Sequence, residues 1–300
     1  MSGFAVWLRK SRLARIAAIV LTFLLPLTNV ISAAILVMAA RGAGWRSAAV
    51  DAGAGLVLVA GLAQLSGGEA ADTAPGTAVL GAVALWGGAL LAGIVLRRYR
   101  SVDLAVQLVV VITLLGILLA SALIPDPRAY WQPILEALIK AAGLPQVGGL
   151  PEGWLGTVAG LMNGVIGASL LSTVILAIML GLWLDRDAVE GDDWRRQFLE
   201  LRLGRVLSAG IVIAAVLLFA GFSSLGGGAL LVLGTGFMAQ GLAIVHWTAD
   251  YRAWPRIWPL ALYAPLLLGA PPAGLLLLAL AIAGVVDNGF SLRRRRTNVV

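Results

Sequence analysis

A succession of apolar stretches constrains this chain more than any other feature. They lie at about 14–25, 28–40, 47–65, 76–96, 104–124, 156–184, 206–222, 227–247, 257–270 and 273–287. The six running from 47–65 to 227–247 are long enough, or nearly so, to cross about 30 Å of hydrocarbon at 1.5 Å per helical residue. Hydrophobic residues make up 60% of the 300 and charged residues only 12%. A water-soluble fold cannot hide that much apolar surface. The expected class is all-α, a polytopic helical membrane protein of about 8–10 membrane segments.

The two ends need a further argument. Pro26 interrupts 14–40, and Pro271-Pro272 interrupts 257–287, so each end is either one kinked span or a there-and-back pair. Basic residues concentrate on the cytoplasmic side of membrane proteins, which decides between the two. With paired segments at both ends and a cytoplasmic N-terminus, 20 of the 22 basic residues fall inside and only Arg128 and Lys140 outside. With single spans the split is 10 against 12, which is no bias. The hairpin topology follows, with both termini cytoplasmic. Its short halves reach only roughly 18–22 Å and are either re-entrant or thin the bilayer locally.

The basic flank Arg9, Lys10, Arg12 and Arg15 followed by an apolar run has the look of a secretory signal. Without a convincing cleavage site it reads as an uncleaved first membrane segment. Three parts emerge: a six-segment block at 1–184, a charged cytoplasmic stretch at 185–205, and a four-segment block at 206–300 ending in an arginine-rich tail. In the charged stretch Trp194, Phe198 and Leu201 recur at helical spacing and predict a surface helix. In the outer loop 125–155, Ile134 with Leu138 and Leu135 with Ile139 set an apolar stripe beside Tyr130 and Trp131. That pattern fits an interfacial helix or one packed on the bundle.

Several functions are disfavoured. The 20 arginines and two lysines are spread between apolar runs, with no aromatic-interleaved groove for nucleic acid. Zero cysteines exclude disulfides and thiol chemistry, and one histidine leaves a transition-metal site to be built mostly from carboxylates, which such metals do not favour. No cofactor is expected. There is no GxxxxGK[ST] phosphate loop, and the glycines of SLGGGALL and LGTGFMAQG sit where they let helices approach. No serine, histidine and carboxylate set assembles at compatible depths, so an intramembrane enzyme is the least favoured class.

Few polar residues remain as candidates. Asp51 lies about one turn inside the third segment near Arg46, and reads as an interfacial charge paired with Arg46 or as a ligand contact. Gln107, Asn163 and Gln240 lie within spans, where such groups bridge helices or line a small-molecule pocket. His246, beside Trp247, falls in the aromatic belt at a cytoplasmic helix end, and is either an interfacial ring or a ligand contact. Arg293, Arg294, Arg295 and Arg296 form a cluster suited to an anionic cytoplasmic leaflet or to a partner protein.

The words RLGRVLS at 202–208, QGLAIVH at 240–246 and VVDNGFSLRRRR at 285–296 resemble a family of predicted bacterial membrane proteins that includes the YybS-like proteins. In that family an aromatic often stands where Gly289 stands here. The resemblance implies a multi-pass protein of the bacterial inner membrane and no particular activity. The first block, with its short second segment and the turn Arg41-Gly-Ala-Gly, is also distantly similar to the S-components of energy-coupling-factor importers and to MreD. In S-components an alanine-x-x-x-alanine face on the first helix meets the coupling subunit, and Ala14 and Ala18 have that spacing. The likeness implies a binding or transport component without its own motor, acting on a small molecule of low charge. The alternative is a membrane scaffold or envelope-assembly partner with no ligand.

Overall fold

The computed structural model describes residues 3–25, 27–65, 74–143, 153–185, 194–255, 257, 261–267, 270–290 and 293. Among them the helix is the only regular element, as a lipid-exposed backbone requires when no water is present to satisfy its polar groups. The order is α1 Gly3–Lys10, α2 Arg12–Leu24, α3 Asn29–Gly42, α4 Trp45–Leu65, α5 Ala74–Tyr99, α6 Val102–Leu123 and α7 Pro127–Ala141. There follow α8 Trp154–Asp185, α9 Trp194–Leu199, α10 Gly204–Phe219, α11 Ser223–Tyr251, α12 Ala264–Leu267 and α13 Ala270–Phe290. The chain is an all-α polytopic membrane protein.

Six helices are long and apolar enough to span: those over Trp45–Leu65, Gly76–Tyr99, Val102–Leu123, Trp154–Asp185, Ser223–Tyr251 and Pro271–Phe290. This set differs from the expected six at one place. The stretch 206–222 yields a helix of only 16 residues, whereas the last segment, expected as a short half at 273–287, becomes a helix of 21. The prolines explain the gain. Pro271 and Pro272 occupy the first turn, where a helix has no use for their missing N–H, so they start α13 and do not break it. Of the expected partner segment 257–270, residues 258–260, 268 and 269 lie outside the described residues.

Local signals set the boundaries. The Ser11 hydroxyl accepts the Ala14 N–H at 3.2 Å and caps the start of α2. Asp126 caps α7 through the N–H groups of Arg128 and Ala129, with Pro127 as the first helical residue. Gly44 takes φ +99° while its N–H returns to the Ala39 carbonyl, a left-handed C-terminal stop that turns α3 into α4.

The chain divides into two compact units. The first comprises 1–109, 172–202 and 242–263; the second comprises 110–171, 203–241 and 264–300. In the first unit α2, α4 and α5 pack around α3. Every residue of α3 from Ser32 to Arg41 is buried, which is why its sequence is apolar on all sides. As a helix enclosed by protein it has no bilayer thickness to match, so its 14 residues suffice. Trp86 of α5 anchors this core, donating Nε1–H to the Ser32 hydroxyl at 2.7 Å and meeting Phe23 edge-on at 5.1 Å. Gly93 lets α5 lie against α3, since a β-carbon there would stand 2.7 Å from Ala40 Cβ and 2.9 Å from the Val37 carbonyl oxygen.

The second unit relies on backbone-to-backbone packing. A β-carbon on Gly164 would strike Gly228, one on Gly241 would strike the Leu280 carbonyl, and one on Gly284 would strike the Phe237 carbonyl. Close approach through small residues is how helices gain van der Waals contact where lipid is as apolar as leucine. The glycine-rich words serve packing here. In α7, Tyr130, Ile134 and Leu138 form an exposed row, while Trp131, Leu135 and Ile139, one position along, are half-buried. Trp131 ties α7 to α8 by donating to Asn163 Oδ1 at 2.8 Å.

Candidate functional site

The polar side chains gather into three constellations and one aromatic cavity. In the first unit, Asp51 is fully buried. Its Oδ1 accepts from Arg12 Nε at 2.7 Å, and its Oδ2 from Arg15 Nε at 2.9 Å and Nη2 at 2.8 Å. Arg12 and Arg15 are one helical turn apart on α2, so one face presents both to a single carboxylate on α4. The partners of Asp51 are thus Arg12 and Arg15 and not the neighbouring Arg46, whose guanidinium lies 5.4 Å from the Trp45 ring centroid. The carboxylate sits deeper in protein than an interfacial charge, and two arginines offset its desolvation.

Asp185, at the end of α8, is the second buried carboxylate of this unit. Arg41 Nη1 reaches its Oδ2 at 3.0 Å, and Arg9 pairs with its Oδ1. Close by, Arg97 Nη1 donates to the carbonyls of Arg41 and Gly42, both at 3.0 Å, and so completes the C-terminus of α3. These groups line a cavity of about 480 Å³ carrying Arg9, Arg15, Arg41, Arg97 and Asp185 on an otherwise small or apolar wall. Asp185 directly follows the apolar run 156–184, and nothing in the sequence around it signals a role. The available signal was the spacing of Arg9, Arg12 and Arg15, which puts three cations on one end of the bundle.

The third constellation lies in the second unit and draws on all three words quoted above. Gln240 is fully buried. Its Oε1 accepts the Leu203 N–H at 3.0 Å, and its Nε2 donates to Asp287 Oδ2 and Asn288 Oδ1, each at 3.1 Å. Asn288 Nδ2 donates onward to the Gly204 carbonyl at 2.9 Å and the Ser208 hydroxyl at 3.1 Å. Arg293 closes the network on Asp287 Oδ2 through Nη2 at 2.7 Å and Nε at 3.2 Å. The glutamine on α11, the Asp-Asn pair on α13 and the Gly204 turn into α10 are thereby held as one object. Arg293 is buried in this network, a setting unlike the lipid surface expected for it. Arg294, Arg295 and Arg296 lie outside the described residues.

The other candidates act as ties. Gln107 Nε2 donates to the Arg202 carbonyl at 2.9 Å, and Asp103, one turn earlier on α6, accepts the Arg202 N–H at 3.1 Å. Together they clamp one backbone unit at the end of the charged stretch. Asn163 holds Trp131, while its Nδ2 has no partner among the described residues.

His246 stands on α11 at a cavity of about 480 Å³ walled by Met179, Trp194, Phe198, Leu199, Ala249 and Trp254. Its Nδ1 lies 2.9 Å from the Leu242 carbonyl, which can only accept, so that nitrogen carries the proton. In the neutral ring Nε2 is then an acceptor, 3.3 Å from the Tyr263 hydroxyl. Phe198 meets the imidazole edge-on at 6.1 Å, and Arg195 pairs with Asp250 at 2.6 Å on the same wall. The helix predicted from Trp194, Phe198 and Leu201 is real but ends at Leu199, and Leu201 is buried beyond it. Among the described residues no group of three or more histidine, aspartate and glutamate side chains could hold a metal ion.

The fold defines an integral membrane protein, and among the described residues its polar side chains gather in charge clusters, amide ties and the His246 cavity. Compared with protein-family models, curated proteins and solved structures, the chain matches none.

Proposed function

We propose that the protein is a binding component for a small molecule of low charge, without a motor of its own, and that the ligand sits in the His246 cavity. One observation carries this reading. A cavity of about 480 Å³ is walled by three large aromatic rings, Trp194, Phe198 and Trp254, with His246 and the Arg195–Asp250 pair as its polar groups. Ligand pockets of roughly 300–1,000 Å³ with apolar walls and a few orienting polar groups are the common form of small-molecule site. The rings favour a flat, unsaturated ligand stacked on an indole. His246 contributes a fixed ring, because its two nitrogens are already oriented by Leu242 and Tyr263. The similarity of the first block to S-components points the same way, toward a membrane component that holds a ligand and leaves energy coupling to a partner. The membrane is read as the bacterial inner membrane, with both termini cytoplasmic, on the arginine distribution and the resemblance to the YybS-like proteins.

The test uses the purified full-length protein in detergent. Mass spectrometry of the extracted sample and a thermal-shift panel of planar heteroaromatic compounds are expected to yield at least one stabilising molecule. Its effect should disappear in Trp194→Ala, which removes a wall of the cavity. A sample with no co-purified small molecule and no stabilising compound would remove this reading in favour of a scaffold that works through partners.

A further inference from the structure

The arginine-lined cavity has a chemistry opposite to that of the His246 cavity and independent of it. Four guanidinium groups, Arg9, Arg15, Arg41 and Arg97, and a single carboxylate, Asp185, share one space of about 480 Å³. Two of the four, Arg15 and Arg41, are buried, and are held in place by Asp51 and Asp185 respectively. Charged groups are costly to remove from water unless an opposite charge meets them, and here cations dominate the lining. Arg97 is the one whose fork is offered outward. It is exposed, it spends only Nη1 on the protein, through the Arg41 and Gly42 carbonyls, and its Nε and Nη2 make no bond to the described residues.

We propose that this cavity binds a phosphate-bearing anion. Guanidinium forks match phosphate oxygens two at a time, and arginine exceeds lysine at such sites for that reason. A phosphomonoester near neutral pH carries close to two negative charges and so answers several guanidinium groups at once, which a single carboxylate does not. The wall is not purely polar: Met38 and Ala39 of α3 contribute to it, so an anion attached to an apolar body can be accommodated. The same headgroup chemistry comes from two sources, a phospholipid with a terminal phosphate or a soluble phosphate ester, and the test separates them.

Full-length protein is placed in nanodiscs of phosphatidylcholine with and without phosphatidic acid, and binding is read by native mass spectrometry and by thermal shift. Glycerol 3-phosphate is added as the soluble counterpart. The native protein is expected to retain phosphatidic acid or to bind glycerol 3-phosphate, in either case more weakly as salt rises. Arg97→Gln should weaken that binding about tenfold or more, and Arg97→Lys should restore part of it. Arg98→Gln, an exposed arginine outside the cavity lining whose guanidinium lies 5.8 Å from the Tyr99 ring centroid, should leave it within about twofold. Retention of the lipid without competition by glycerol 3-phosphate assigns a lipid source, and competition assigns recognition of the phosphate itself. Absence of binding to both, or equal losses in Arg97→Gln and Arg98→Gln, would overturn the proposal. The His246 cavity is read separately by the Trp194→Ala variant, so the two readings fail independently.

Discussion

Two regions of the molecule bury carboxylates, and they do so in different ways. In the first unit Asp51 and Asp185 are each met by two arginines, and Arg97 adds a guanidinium bonded only to backbone carbonyls among the described residues. In the second unit Asp287 is met by one arginine, Arg293, and by the amide of Gln240, which Asn288 also engages. The first arrangement is rich in cations and opens on a cavity. The second is close to neutral and spends its groups on tying α10, α11 and α13 together. The first is the arrangement proposed to meet an anion, whereas the second joins helices within its own unit.

If the contrast is sound, the second unit should be the more fragile to loss of its carboxylate. Asp287→Ala removes the carboxylate that the buried Arg293 engages through Nε and Nη2, and strips Gln240 of an acceptor. Loss of one member of a buried pair costs about 3–5 kcal/mol, and the upper end is expected here, read as a fall in thermal midpoint in detergent or as failure to accumulate. Asp51→Ala comes next, at about 3 kcal/mol, because Arg12 is half exposed and water replaces part of its lost partner. An Asp51 variant less stable than the Asp287 variant would reverse the comparison. Gln240→Ala should cost about 2 kcal/mol, since it leaves the Leu203 N–H and the Asn288 side-chain Oδ1 without this partner. Its loss should appear in chemical denaturation as a lower midpoint, and an unchanged midpoint would mean that the amide network is not a structural tie.

The sequence exposed the spans because each is a continuous apolar run of sufficient length, and the turn Arg41-Gly-Ala-Gly that ends α3 was equally local. Two elements take a form in the fold that their runs alone do not display. The run 28–40 looks like half of a membrane hairpin because α3 is apolar on every side, and in the fold that pattern comes from enclosure by α2, α4 and α5. The run 273–287 looks short because prolines suggest a break, yet at a helix start they are neutral. The charge partners were out of reach. Asp51 pairs with residues 36 and 39 positions away, and Arg41 with one 144 positions away, so only the tertiary fold brings them together. Gln240 and the Asp-Asn pair, by contrast, stood out as words before they were seen to touch. Gln107 and Asn163 proved to be backbone and tryptophan ties, the commoner fate of an uncharged polar group in a span.

Cation excess in the first unit is proposed as a binding property, and the second unit's network as a structural one. The direct measurement is the thermal stabilisation that phosphatidic acid confers on Asp51→Asn and on Asp287→Asn, each compared with the native protein. Asp51→Asn frees Arg15 from its carboxylate at the cavity wall, so the lipid should stabilise this variant more than it stabilises the native chain. Asp287→Asn should show the native increment on a lower baseline. An increment for Asp51→Asn equal to or below that of the native protein would contradict the central claim.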